Sequence, residues 1–138
     1  MSKRESTRRA LLTVGLGSAL PVRGGQRSAD LAWIAEAERQ RQRALGWGDQ
    51  PYGAVLVLDS RLAGQGPSRV VQRNDADAHA ERVAIADAQQ RLGRAILTGS
   101  TLYSTSRPCR RCEAAAARAG VTRMVFGADA TDAGAPRP

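Results

Sequence analysis

Apolar residues recur at helical spacing near the start of the chain. Leu31, Ile34 and Ala35 share one side of a helix over residues 29–45, and Glu38 and Arg41 extend that line as charge. Ser28 stands where an N-cap belongs, and Gly46, Gly48 and Asp49 break the pattern. The run GAVLVLD at 53–59 is short, apolar and rich in valine and leucine, which predicts a buried strand. Asp59 and Ser60 form a tight turn, with residues 61–66 as the second arm of a hairpin; the polar stretch 68–78 reads as loop. Helical spacing returns over 79–92, with Ala84, Ile85, Ala88 and Leu92 on one side. Residues 100–105 (STLYST) predict a strand. Residues 108–119 predict an alanine-rich helix, with Pro108 in the first turn and Gly120 as the C-cap. Residues 121–128 predict a last strand, and 129–138 a loop and loose tail. The order α-β-β-α-β-α-β predicts a layered α/β domain with helices covering a sheet.

The 138 residues suit one compact domain. The net charge of +8 arises mainly in residues 1–27, where Lys3, Arg4, Arg8, Arg9, Arg23 and Arg27 face only Glu5. The remainder carries about +3, weak evidence for a phosphate-binding surface. Within the N-terminal segment, Thr7-Arg8-Arg9-Ala10-Leu11-Leu12 resembles a twin-arginine export signal and precedes a mildly apolar run too short to span a bilayer. The expected division is a leader over 1–27, exported to the periplasm or, without export, cytoplasmic, and a catalytic domain over 28–138. No membrane association is expected.

The chain has one histidine, in His79-Ala80-Glu81, and two cysteines, in Pro108-Cys109-Arg110-Arg111-Cys112. H-x-E followed by P-C-x-x-C is the pattern of zinc nucleobase deaminases. A catalytic zinc takes three protein ligands and keeps one position for water; one imidazole and two thiolates supply the three. Cys109 and Cys112 share a helix face, and the first turn of a helix favours the thiolate. Glu81 diverges from His79 on a regular helix, so its expected role is to carry protons between water, a ring nitrogen and a departing amine. A structural zinc site or a redox pair are the other readings of C-x-x-C. The first wants a fourth ligand that no further Cys or His supplies, and the second leaves His-x-Glu and the proline unexplained.

These motifs resemble the cytidine and deoxycytidylate deaminase superfamily, in particular the branch of guanine deaminases and tRNA adenosine deaminases. The resemblance runs through GDQPYGAV (48–55), NDADAHAE (74–81), TLYST (101–105), PCRRC (108–112) and RMVFGA (123–128), in family order. It implies a three-layer α-β-α fold on a mixed sheet of four to five strands, zinc on His79, Cys109 and Cys112, Glu81 as proton shuttle, and the Ala80 amide against the base.

Three departures qualify the resemblance. Ser68 occupies the position, eleven before the histidine, where the branch usually has a substrate-binding Asn. Arg107 replaces the usual Glu and joins Arg110 and Arg111 in a basic cluster, either a phosphate contact or solvated helix-start residues. Against the family pattern the chain is expected to end before a fifth strand and a C-terminal helix, a shortened fold in which the strand over 121–128 would be an open edge unless paired or covered. That region helps hold RNA in tRNA deaminases, so its absence speaks against tRNA.

Tyr52 is expected to line the base pocket or pack in the core, and Trp47 to sit in the core or at the pocket rim; Trp33 and Phe126 read as core. Asp132 matches a stretch where guanine deaminases place an acidic group near the base. The leading expectation is a deaminase of a small base or nucleoside, guanine-like purines favoured through Asn74-Asp75 and Asp132, acting as a homodimer. A tRNA adenosine deaminase is the alternative, and a catalytically silent zinc-binding subunit a further one.

Overall fold

The computed structural model describes residues 23–138. The expected twin-arginine leader lies almost wholly outside these residues. The elements are α1 (Arg23–Gly46), β1 (Gly53–Leu58), β2 (Arg61–Pro67), α2 (Val70–Arg73), α3 (Ala80–Leu92), β3 (Thr101–Ser104), α4 (Arg110–Arg118), β4 (Arg123–Phe126) and β5 (Thr131–Gly134). The sheet order is β2-β1-β3-β4-β5. Only β3 and β4 run parallel; the other neighbours are antiparallel.

Strand alternation sorts the core into two layers. Ala54, Leu56, Leu102 and Met124 face α3 and α4, where Ala80, Ala84, Ile85, Ala88 and Ala116 complete one apolar cluster. Val55, Val57, Tyr103 and Val125 face α1 and pack with Ile34 and Ala37. Covered on both sides, β1 is buried at every position but its last, which is why its sequence is continuously apolar rather than alternating. Trp33 packs against the α1-side cluster, as expected, whereas Phe126 is only half-buried. Asp59 and Ser60 both have positive φ, 52° and 58°, the twist a two-residue hairpin turn requires.

Several expectations change. α1 begins at Arg23, so Ser28 lies inside the helix and does not cap it. Gln26 donates to Asp30 at 2.9 Å across one helical turn, extending the helix back from its buried anchor. The polar stretch after β2 contains the single turn α2. The expected tail contains β5, paired antiparallel with β4, so β4 is not an open edge. β5 is exposed throughout, and Thr-Asp-Ala-Gly carries none of the apolar alternation by which a half-buried strand is read.

Asp30 ties α1 to the sheet. It is 4% exposed, accepts the Tyr103 hydroxyl at 2.7 Å and receives both terminal nitrogens of Arg123, at 2.9 and 2.5 Å. Burial alone would raise the Asp30 carboxyl, but the hydrogen bonds from Arg123, Tyr103 and Gln26 outweigh it and hold its pKa below the usual value. A depressed carboxylate contributes stability above its unfolded pKa and loses it as pH falls through the folded one. Asp30→Asn is expected to cost about 3 kcal/mol at neutral pH and to flatten the loss of stability below about pH 4, as read by urea unfolding across pH.

On the other face, β2 meets α3 through glycines. A Cβ on Gly66 would lie 2.1 Å from the Ala80 carbonyl oxygen, and one on Gly64 2.2 Å from that of Ala84. The helix therefore rests directly on the strand backbone, and its first turn is placed by Gly66. Gly66→Val is expected to lower unfolding stability by about 3 kcal/mol or more through overpacking, with the midpoint shift in denaturant melts as the measure.

Candidate metal centre and adjoining cavity

His79 and Cys109 are the N-caps of α3 and α4, both with extended backbone (φ −62°, ψ 151° and φ −67°, ψ 164°). Pro108 leads into this turn, and the Cys109 sulfur accepts the Cys112 N–H at 3.4 Å. The two helices start side by side, so their caps converge. His79 Nδ1 lies 3.4 Å from Cys112 Sγ and 3.7 Å from Cys109 Sγ, and the three ligand atoms all fall within 4.8 Å of one another. Ligand bonds near 2.05 Å to nitrogen and 2.3 Å to sulfur give a tetrahedral N···S edge of about 3.6 Å. Two sulfurs and an imidazole at this spacing fit zinc in both donor chemistry and scale.

The first-turn position was expected to favour the thiolates. At Cys112 burial wins: it pushes the thiol well above its usual range, and the Glu81 carboxylate and the neighbouring Cys109 add to the shift. A buried sulfur and a buried carboxylate, with the exposed Cys109 sulfur beside them, call for a cation, and a bound metal ion inverts this balance by deprotonating its thiol ligands.

Glu81 is 6% exposed in the first turn of α3. The hydroxyl of fully buried Ser104, at the end of β3, lies 3.0 Å from Glu81 Oε1 and also reaches the Ser106 carbonyl oxygen. Beside these groups opens a cavity of about 290 Å³, lined by His79, Ala80, Glu81 and Cys109 on the helix side and by Gln50, Tyr52, Ser106 and Arg107 on the loop side. That volume lies at the small end of ligand sites, the scale of a single base. The Ala80 amide is a first-turn N–H with no partner within its helix, so it is available as a donor.

The structure brings together His79, Cys109, Cys112, Glu81, Ala80 and Tyr52. Tyr52 is 43% exposed and lines the cavity, so it is not packed in the core. Trp47 is 42% exposed and is not core. Two expected substrate residues lie elsewhere. Ser68 is fully buried and does not line the cavity: its hydroxyl donates to Asp49 at 2.9 Å and its N–H to the Tyr52 carbonyl at 3.0 Å. A hydroxyl is too short to extend past that partner as an Asn side chain would, so Ser68 braces the loop that carries Gln50 and Tyr52. Asp132 sits on exposed β5, paired with Arg123 at 2.9 Å and accepting the Gly134 N–H, away from the cavity. Of the basic cluster, Arg107 lines the cavity, with its guanidinium 5.8 Å from the Phe126 ring centroid, while Arg111 pairs with Asp77 at 3.1 Å.

Sequence reasoning missed Gln50, Ser104 and Ser106. Ser104 did leave a signal: it follows Leu102 on the inward face of β3, where a polar residue needs a partner. Gln50 carries no such mark.

Residues 27–128 match the family model of the cytidine and deoxycytidylate deaminase zinc-binding region, and the chain belongs to this family, whose metal is zinc. Among curated relatives, the tRNA-specific adenosine deaminase of Buchnera aphidicola is 35% identical over 103 residues, covering 75% of this chain and 68% of the relative. That of Agrobacterium fabrum is 42% identical over 94 residues, covering 67% and 62%. The chain thus spans about two thirds of the length of these relatives. Among solved structures, a tRNA:A34 deaminase that edits A to I at the wobble position superposes with TM-score 0.67 and 36% identity over 70% of each chain. Guanine deaminase from Bacillus subtilis gives TM-score 0.65 and 32% identity over 70% of this chain and 61% of its own.

The purified chain is expected to carry zinc by elemental analysis. Cys112→Ser should abolish that zinc, while Ser68→Ala should keep it.

Proposed function

We propose that this chain is a zinc-dependent hydrolytic deaminase of adenosine in RNA, of the tRNA type. The observation that carries the reading is buried Glu81 beside the His79, Cys109 and Cys112 cluster, in the wall of a cavity of single-base size. The tRNA-specific adenosine deaminases among the relatives supply the substrate class. This shifts the weight from the guanine-like small molecule expected at first. Asp132, one support of that expectation, is committed to Arg123, away from the cavity. A guanine deaminase remains the second reading, through the 32% identity to the Bacillus subtilis structure.

His79, Cys109 and Cys112 would hold the zinc, which when bound supplies an activated water at the cavity wall. Tyr52 offers a ring for the base to stack on at the open side. The Ala80 N–H donates to the base edge and fixes its register. Ser104 holds one carboxylate oxygen of Glu81 in place. Glu81 takes a proton from the attacking water and passes protons to the ring nitrogen and then to the amine. The carbon–oxygen bond forms at C6, the C6–N bond breaks, and adenosine plus water gives inosine plus ammonia.

The test is to incubate zinc-loaded protein with an anticodon stem-loop bearing adenosine in its loop, and separately with guanine, and to measure inosine and ammonia. RNA inosine is the expected product; ammonia from guanine without RNA inosine would establish the second reading instead. Glu81→Ala should lower turnover about 10³-fold or more with zinc content unchanged. Wild-type turnover in that variant would refute the proton-carrying role.

A further inference from the structure

Trp47, in the turn after α1, is flanked by two cations. The Arg43 guanidinium lies 5.3 Å and that of Arg69 4.7 Å from its ring centroid. Arg73, at the end of α2, is close enough to act on Arg69 electrostatically. The hydrogen-bond acceptors these groups find are neutral: Arg43 donates to the Gln40 amide oxygen at 2.6 Å, and Arg69 to that of Gln72. Among the described residues none of the three arginines is ion-paired, a state they share with Arg61, Arg94, Arg107, Arg110 and Arg118; what sets Arg43 and Arg69 apart is that they meet over one tryptophan ring. The Arg69 Nε–H is buried without a partner.

The acidic groups that face this cluster are already committed. Asp49 is buried and accepts the Ser68 hydroxyl and the N–H groups of Gln50 and Gln72. Asp87 pairs with Arg91 and accepts the Gln65 N–H. Burial, together with the nearby Arg73 and Arg43, works against the charge on Arg69, and Asp87 and Asp49 offset this only in part. Like charges held together, with the nearby carboxylates already bound to other groups, favour an incoming anion. The cluster also adjoins the cavity along the chain. Trp47 precedes Gln50 by three residues, and the Arg69 N–H donates to the carbonyl of Ala78, the neighbour of His79.

We propose that Arg43 and Arg69, carried on Trp47, and Arg73 near Arg69 form a phosphodiester clamp that grips the RNA backbone beside the nucleotide whose base enters the cavity. Trp47 holds the guanidinium groups of Arg43 and Arg69 by its ring, which orients them while leaving their charge free for phosphate oxygens. The proposal rests on the RNA reading above. A free nucleotide phosphate offers the same anion at a single point, and a strand offers several.

The test uses the full zinc-loaded chain and an oligouridylate, which carries phosphodiesters but no adenosine to deaminate. Affinity is measured across a salt series for wild type, the exposed-residue variant Arg43→Gln/Arg73→Gln, and the triple variant with Arg69→Gln. The slope of log affinity against log salt should flatten by about 1.4 in the double variant and about 2 in the triple. Zinc content should stay at the wild-type level. Uridine 5′-monophosphate should compete weakly; competition at the oligomer's own affinity would reassign the clamp to a free nucleotide. Unchanged slopes in both variants, or no wild-type binding of the oligomer, would overturn the clamp. Inosine formation in the adenosine stem-loop is scored separately: its absence with slopes that flatten as stated removes the adenosine reading and leaves the clamp.

Discussion

Two helix starts can meet at one point above a sheet only if both helices lie on the same face and at least one approaches it closely. Here the approach is made by glycine. Gly64 and Gly66 on β2 give α3 a bare backbone to rest on, and Ala80, Ala84 and Ala88 keep the facing helix surface small. α4 lies on the same face and contributes Ala116, and its C-cap Ala119, to the same cluster. With both helices seated, His79 and Cys109 occupy their caps and Cys112 and Glu81 their first turns. A side chain on Gly66 would move the Ala80 carbonyl and with it the two residues on either side.

The converging groups then set an electrostatic demand. Cys112 is buried beside Glu81 and Cys109, and without a cation its thiol stays protonated. Zinc answers a charge imbalance that the fold itself creates. The carboxylates that position the surrounding loop and helix are satisfied within the protein. Asp49 holds the loop bearing Gln50 and Tyr52 through backbone N–H groups and Ser68, and Asp30 fixes α1 through Arg123 and Tyr103. Arg43 and Arg69 find no carboxylate and meet on Trp47, with Arg73 acting on Arg69, and Arg107 in the cavity wall is likewise without an ion pair among the described residues, so positive charge gathers here although the domain as a whole carries little net charge.

The metal ligands were legible because their chemistry is scarce. One histidine and two cysteines, each at a helix start, leave few alternatives. Glu81 was legible by its distance from His79 along one helix. Ser68 and Asp132 were chosen by position within a resemblance, and position does not say where a side chain finds its partner: Ser68 was claimed by Asp49 and Asp132 by Arg123. Ser104 and Gln50 went unseen because their roles depend on β3 lying under α3 and on the loop after α1 turning towards the cavity. β5 escaped because its pairing with β4, not its own composition, makes it a strand.

Local order in the chain therefore determined the body of α1, the helices α3 and α4, the inner strands and the candidate ligand set, but not the single turn α2 or the start of α1. Periodicity, capping and side-chain chemistry are properties of neighbouring residues, and the buried strand β1 and the Ala84, Ile85 and Ala88 face of α3 can be read from them, whereas Leu92 on the same line is exposed. Only the tertiary structure decided which polar residues face the cavity, which are spent bracing a loop, and that Trp47 gathers two arginines from different elements. Those outcomes turn on partners far apart in sequence, whose distances follow from strand register and helix seating, and no local pattern encodes them.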